Sequence, residues 1–363
     1  MVTNKDRINR RKQIKIHHDL KSFRLKVRPY RNIRNKNRLQ DGKSLEERKD
    51  DNLFIGYKRI KAPTNLSLIE NTNEVLKFIN VLAKAYDARR KVFVTLKHIT
   101  NISDEAIVVL LSHVAQFKKA GIDFNGNKPS DNHLCKKIDK SGFFDILYNK
   151  KKLIPSEEKI DLSTDLIFTH AQKNVDAELT DKLIMESSKL IWGEKRRCRG
   201  VQRIFIELMH NTNNHAGKKV GDKYWWLNVS KKENPKRIGF SFVDYGMGII
   251  RSLQTKGTDS KFYGCLNKLK SLINIENDSE ILNSLLNGEI HKTVTNKSYR
   301  GKGLPGICNQ FHHNAITRLI VISNKAYVDV GKDEHYVLEH NLRGTFVYFE
   351  LDNTCRSVSD NGI

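Results

Sequence analysis

Between residues 207 and 306 three short segments each demand a particular local geometry, and they follow one another in a fixed order. The first, Glu207-Leu-Met-His-Asn211-Thr-Asn-Asn-His215, sits in a helix predicted over 199–215. Glu207, Asn211 and His215 lie at i, i+4 and i+8, which brings them near one helical face. A carboxylate, an amide and an imidazole so aligned suit a metal–phosphate site, because an amide oxygen is a hard ligand for Mg2+ and a carboxylate can polarise a water. The second segment, Phe240-Ser-Phe-Val-Asp244-Tyr-Gly246-Met-Gly248, is a β-rich apolar run ending in an acid and two spaced glycines. Glycine lets the backbone turn sharply and approach a flat ligand, and a buried acid accepts from an exocyclic amine such as that of adenine. In the third, Arg300-Gly301-Lys302-Gly303-Leu304-Pro-Gly306 leads into a helix predicted over 304–313. Glycine-rich backbone at a helix start offers free N–H groups and a positive dipole end to phosphate, and Arg300 and Lys302 add charge there. Taken singly, the three also read as a solvated helix stripe, an ordinary turn and a flexible loop.

Taken in order, E-x-x-x-N, D-x-G-x-G, G-x-G-L-x-G and a closing Arg343-Gly344-Thr345-Phe346 strand resemble the GHKL ATPase family over roughly residues 165–352. The resemblance implies a Bergerat-type α/β sandwich with ATP and Mg2+ as ligands. It also implies roles for the matched residues. Asn211 would hold Mg2+ against the triphosphate, and Asp244 would receive the adenine amine. Gly246 and Gly248 would permit close approach of the base, with Thr345 supporting the adenine end. Gly301, Gly303 and Gly306 would place backbone amides around the β- and γ-phosphates. Leu304 belongs to the same motif, and His215 is a neighbour of the ATP site. Glu207 matches the position that activates the attacking water in hydrolysing members. Residues 250–299 would form a lid that orders on triphosphate binding. Within the family, the form E-L-x-x-N-x-x-x-H-A is close to that of anti-sigma-type serine kinases.

Upstream, residues 53–152 alternate strands and helices. Helices are predicted over 73–87, 103–120 and 131–138, with strands over 91–96 and 122–124, which implies a small sheet with helices packed on it. The order VFVTLKHITNISDEAIVVLLSHVAQFKKAGIDFNG, followed by SGFFDIL, resembles a STAS domain. In that family a serine at a helix-start turn is phosphorylated. The matching turn here is Ser103-Asp104-Glu105-Ala106, where the acceptor position is acidic. Residues 153–165 read as a linker and 166–363 as the GHKL domain. That domain is expected to contain helices near 170–191 and 199–215 and strands near 223–230, 236–243, 317–323, 335–338 and 344–351. The expected fold class is therefore α/β and α+β, a STAS-like small sheet followed by a Bergerat-type sandwich. Trp225-Trp226 lies in one of the strands, with one ring expected in the core.

Charge adds a further division. The chain carries a net +24, and residues 1–40 hold 14 Lys and Arg against 2 Asp and Glu, half of the whole excess. Residues 1–52 thus read as a basic arm, suited to nucleic-acid phosphate or to an acidic protein partner. No apolar run approaches bilayer length, the first residues are charged where a secretory signal would be apolar, and five cysteines lack C-x-x-C spacing. A cytoplasmic location with no membrane partner is expected. The combined expectation is a Mg2+-dependent ATP-binding protein with ATPase activity, acting as a nucleotide-gated switch in a regulatory or defence-type complex. Its expected partners are a protein, a second copy of the chain included, and nucleic acid through residues 1–52. The alternatives are a protein serine/threonine kinase of the anti-sigma type and a nucleic-acid-binding module that uses ATP structurally.

Overall fold

The computed structural model describes residues 53–148, 168–215, 224–254, 277–289 and 303–356. The basic arm, the linker at 153–165, and Arg300, Gly301 and Lys302 lie outside the described residues, as does the side chain of His215. The chain divides into two compact units, Met1–Tyr57 and Lys58–Ile363. All the elements below belong to the second unit, which is mixed α/β with both parallel and antiparallel sheets.

Its N-terminal half runs β1 (Lys58–Lys61), β2 (Asn65–Leu66), α1 (Thr72–Asp87), β3 (Val92–Thr95), β4 (Asn101–Ile102), α2 (Asp104–Lys119), β5 (Phe124–Gly126), α3 (Asn132–Lys140) and α4 (Phe143–Tyr148). Strands β1, β3 and β5 form a parallel sheet in that order, and β2 pairs with β4. Helix α2 begins after extended Ser103, carries Asp104 and Glu105 in its first turn and Lys118 and Lys119 in its last, and stops before left-handed Gly121. These charges match the helix dipole. Every residue from Glu105 to Ala115 is buried. The sequence suggested one apolar stripe, yet α2 is covered all round, as a helix buried between layers must be. It packs on α1, α4 and β5 of its own half and on two strands of the C-terminal half.

That second half runs β6 (Phe168–Gln172), α5 (Ala177–Trp192), α6 (Arg199–His215), β7 (Trp225–Lys232), β8 (Arg237–Asp244), α7 (Ile249–Gln254), α8 (Asp278–Leu286), α9 (Gly303–His312), β9 (Arg318–Asp329) and β10 (Glu334–Asp352). The helix expected near 170 starts later. β6 occupies that stretch, and Asp176 Oδ1 caps α5 by accepting from Leu179 N at 2.8 Å. The two short strands expected at 335–338 and 344–351 are one strand, β10, whose pairing with β9 shifts register between Val337 and Thr345. The sheet is antiparallel throughout, in the order β6-β7-β8-β10-β9.

Over β7, β8, β9 and the second half of β10 both faces of this sheet are buried. Trp225, Leu227, Phe240, Phe242, Val347 and Phe349 share a core with α5, α6, α8 and α9. Trp226, Val243, Ile320, Ile322, Phe346 and Tyr348 share another with α1 and α2. Alternation along each strand produces the division. Both tryptophans are therefore core residues, one on each side, where the sequence placed only one. A bidentate ion pair joins Arg343 to Asp87 at the end of α1 (3.2 and 2.7 Å), and Glu339 N donates to Asn73 Oδ1 at 3.1 Å. None of the described helices is long and apolar enough to cross a membrane.

Because Trp226 joins the sheet to the N-terminal half, Trp226→Ala should cost about 3–5 kcal/mol, the range for deleting a buried aromatic. Urea unfolding followed by far-ultraviolet circular dichroism and by fluorescence should then show one coincident, lowered midpoint. Separate midpoints would mean that the two halves unfold independently.

Candidate functional site

Two of the three sequence segments meet at α6 and α9. Helix α6 is anchored through Phe205, whose ring lies 5.3 Å from those of both Phe240 on β8 and Phe349 on β10. Two and six residues further on, Glu207 and Asn211 are half-buried. They face the first residue of α9. A Cβ built on Gly303 would stand 3.7 Å from Glu207 Oε2 and 3.9 Å from both amide atoms of Asn211. One turn along α9, a Cβ on Gly306 would lie 3.6 Å from Nη2 of Arg203. The result is a short stripe, Arg203-Glu207-Asn211, laid against the glycine side of α9. Arg203 was not among the sequence candidates, although its position four residues before Glu207 was a signal for it. Gly303, Leu304 and Gly306 are themselves helical, so the glycine run has become the first turn of α9. Pro305 is tolerated there because first-turn N–H groups lack intrahelical partners.

The remaining segment forms a second cluster at the ends of β8 and β10. Asp244 is buried and stands opposite Thr345 in the ladder. Its Oδ1 accepts from Gly246 N at 2.8 Å, and the Thr345 side chain is a second hydrogen-bond partner. Gly248 has φ +78°, and a Cβ there would come within 2.5 Å of the Asn324 amide. Gly344 has φ +122°, and a Cβ there would collide with Asp244 O at 1.9 Å. These two glycines are therefore required, one by the turn and the other by the close passage of β10. Two residues of β9 that sequence reasoning missed pin the turn. Ser323 Oγ accepts from Ile249 N at 2.8 Å and donates to Gly344 O at 3.1 Å. Asn324 accepts from Arg251 N at 3.1 Å and donates to Met247 O at 2.9 Å. The only signal in the sequence is a polar Ser-Asn pair interrupting the run RLIVISNKAYV.

Of the expected lid, residues 250–254 and 277–289 are described, the first as the rest of α7 and the second containing α8. Ile281, Leu282, Leu285 and Leu286 of α8 are buried in the core beneath the sheet. Apolar periodicity makes this part of the segment a structural helix. Among the described residues no group of three or more His, Cys, Asp or Glu could hold a metal ion by itself. Asn211 and Glu207 do supply hard oxygen donors of the kind Mg2+ accepts alongside phosphate oxygens. In comparisons with known proteins, no family model matches the chain and no curated protein matches it.

Burial pushes the Asp244 carboxyl up from 3.8 to about 6, against hydrogen bonds from Gly246 and Thr345 that pull it down. Nearby, burial pushes the His113 imidazole down from 6.5 to about 4, against its hydrogen bond to Val109 O. The consequences for stability are opposite. The raised acid contributes below pH 3.8 and loses that contribution as pH rises through 6. The lowered imidazole contributes above pH 6.5 and loses its contribution as pH falls through 4. Each is worth on the order of 3 kcal/mol, so the two largely offset one another. Asp244→Asn keeps an acceptor for Gly246 N–H and removes one of them. The stability difference, variant minus wild type, should rise by on the order of 3 kcal/mol between about pH 4 and about pH 7. Urea midpoints measured across that range check it, and a pH-independent difference would mean that Asp244 does not carry a buried charge.

Proposed function

We propose that the chain is a Mg2+-dependent ATP-binding protein that hydrolyses ATP, built as a Bergerat-type sandwich preceded by a STAS-like half. The observation that carries this reading is the meeting of Glu207 and Asn211 with the first turn of α9, across some ninety residues of sequence. A carboxylate, an amide and the amino end of a helix on one spot form a setting for phosphate, its counter-cation and an activated water. The buried Asp244–Thr345 pair supports the other end of the same ligand. A buried acid that pairs with no charged group among the described residues, held in a turn pinned from β9, is an acceptor suited to an amine on a flat base.

In this reading Asn211 binds the cation, the amides of the first α9 turn bind phosphate, and Arg203 adds positive charge beside them. Glu207 takes the proton of the attacking water. Asp244 accepts from the adenine amine, with Thr345 beside it. Phosphotransfer within the chain is disfavoured at the turn the STAS resemblance singles out, because Asp104 pairs with Lys137 at 3.0 Å and Glu105 is buried. Residues 1–40 are assigned to a polyanionic partner on their charge, half of the net +24.

Titration with Mg-ATP and measurement of phosphate release test the site. Wild type should bind and turn over. Glu207→Ala should still bind ATP but lose about 100-fold or more in rate, as expected for a general base. Asn211→Ala and Asp244→Ala should lose binding itself. Equal phosphate release from wild type and Glu207→Ala would remove Glu207 as the base, and absence of ATP binding would overturn the reading as a whole. For the arm, a salt titration of nucleic-acid affinity should steepen when residues 1–52 are present. An unchanged slope in their absence would place the contact elsewhere.

A further inference from the structure

Tyr245 directly follows the acid of the candidate site, and strand alternation sends it to the other side of the sheet. There it meets α2. Its hydroxyl lies 2.6 Å from Ser112 Oγ, 3.2 Å from His113 Nδ1 and 3.4 Å from Val109 O. The phenol ring stands edge-on to the imidazole at 5.1 Å. One assignment satisfies these groups. The Nδ1–H of His113 (2.8 Å) and the Ser112 hydroxyl (2.6 Å) both donate to Val109 O, and the Tyr245 hydroxyl donates to Ser112 Oγ. Two residues before Thr345, on the adjacent strand, Arg343 forms its bidentate pair with Asp87 of α1. The Asp244–Thr345 pair is thus flanked on both strands by side chains tied to the N-terminal half.

We propose that Tyr245 is a positioning residue through which the N-terminal half of the unit fixes the base-reading end of the nucleotide site. The inference rests on the ATP-binding reading above. Held by Ser112 and His113, Tyr245 fixes the first peptide of the 244–248 turn from behind, while Ser323 and Asn324 fix its far end. The acceptor on Asp244 is thereby kept at one distance and direction from the bound base. Loosening this tie leaves the α6–α9 phosphate region unaltered. The expected loss is therefore in discrimination at the base, with binding of the triphosphate retained.

The test uses the full chain and two probes, Mg-ATP and Mg-ITP. These share ribose and triphosphate, but ITP lacks the exocyclic amine. Wild type should prefer ATP. Tyr245→Phe keeps the ring against His113 and removes only the hydroxyl. It should weaken ATP about 5- to 10-fold, the size of one buried hydrogen bond, while ITP affinity changes less than about 2-fold. Ser112→Ala, on α2 and remote from any nucleotide contact, should reproduce the same narrowing, and the double variant should add nothing further. Asn73→Ala breaks another tie between the halves and should leave the ratio unchanged. If wild type prefers ATP but Tyr245→Phe and Ser112→Ala shift both nucleotides equally, or neither, the inference is overturned and the ATP site stands. If wild type binds the two alike, Asp244 does not read the amine, and the inference is overturned. If it binds neither, the functional reading fails and takes the inference with it.

Discussion

Where β7, β8, β9 and the second half of β10 pair, the antiparallel sheet is buried on both faces, and the rest of the structure depends on that constraint. These strands must satisfy two cores at once, so apolar side chains occur at consecutive positions where a half-exposed strand would alternate with polar ones. Trp225 and Trp226, or Phe346 and Val347, are neighbours in sequence that never share a core. A one-residue slip in register would exchange the two sets, placing the ring that fits beneath α6 against α2. The same alternation fixes the candidate site. Asp244 lies on the helical side because Phe242 does, and Tyr245 lies on the other because Val243 does. No local preference of either residue could achieve this. It follows from the pairing of β8 with β7 and β10.

Polar groups on β7, β8 and β10 give that pairing a specificity that apolar contact alone lacks. The Tyr348 hydroxyl donates to Glu350 Oε1, Lys232 Nζ reaches both that hydroxyl (2.5 Å) and the carboxylate (3.1 Å), and Arg237 reaches the other carboxylate oxygen at 2.8 Å. Burial alone would raise the Glu350 carboxyl, but Tyr348, Lys232 and Arg237 outweigh it and hold the group below its ordinary range. Gly239 makes room for this cluster, since a Cβ there would come 2.9 Å from the Tyr348 hydroxyl. With the Glu350 side chain buried and Lys232 and Arg237 partly exposed beside it, the cluster favours one arrangement mainly by penalising others that would leave this carboxylate buried and unpaired.

Periodicity and glycine placement made α6, β7, β8 and α9 legible to within a residue or two. They also put Glu207, Asn211 and Asp244 on the elements where the structure has them, and Gly303 one residue before the helix that it starts. What stayed hidden was everything set by layers meeting. The run Ala106-Ile-Val-Val-Leu-Leu111 reads as one strong apolar stretch, and nothing local says that a second sheet covers its other side. β6 is short, and its expectation was absorbed into the following helix because Asp176, the true start signal, lies only four residues beyond Gln172. α8 was assigned to a lid by family resemblance, although Ile281, Leu282, Leu285 and Leu286 carry helical core spacing on their face. Ser323 and Asn324 acquire meaning only when β9 is placed beside the 244–248 turn, a relation with a sequence separation of about seventy-five residues.

Among the described residues Asp244 has no charged partner, against the usual rule for buried ionisable groups. Its hydrogen bonds from Gly246 and Thr345 offset only part of the cost of burial, since the carboxyl remains raised. A site whose acid is underpaid by its own protein gains most from a ligand that donates to it, because the donor relieves a penalty already present in the free state. Such relief is useful only if the acid cannot escape by moving towards water. Ser323, Asn324 and Gly344 close that route on one side of the turn, and Tyr245, held by α2, closes it on the other. On the proposed reading, the N-terminal half is thereby part of what would hold the buried acid in place for a ligand.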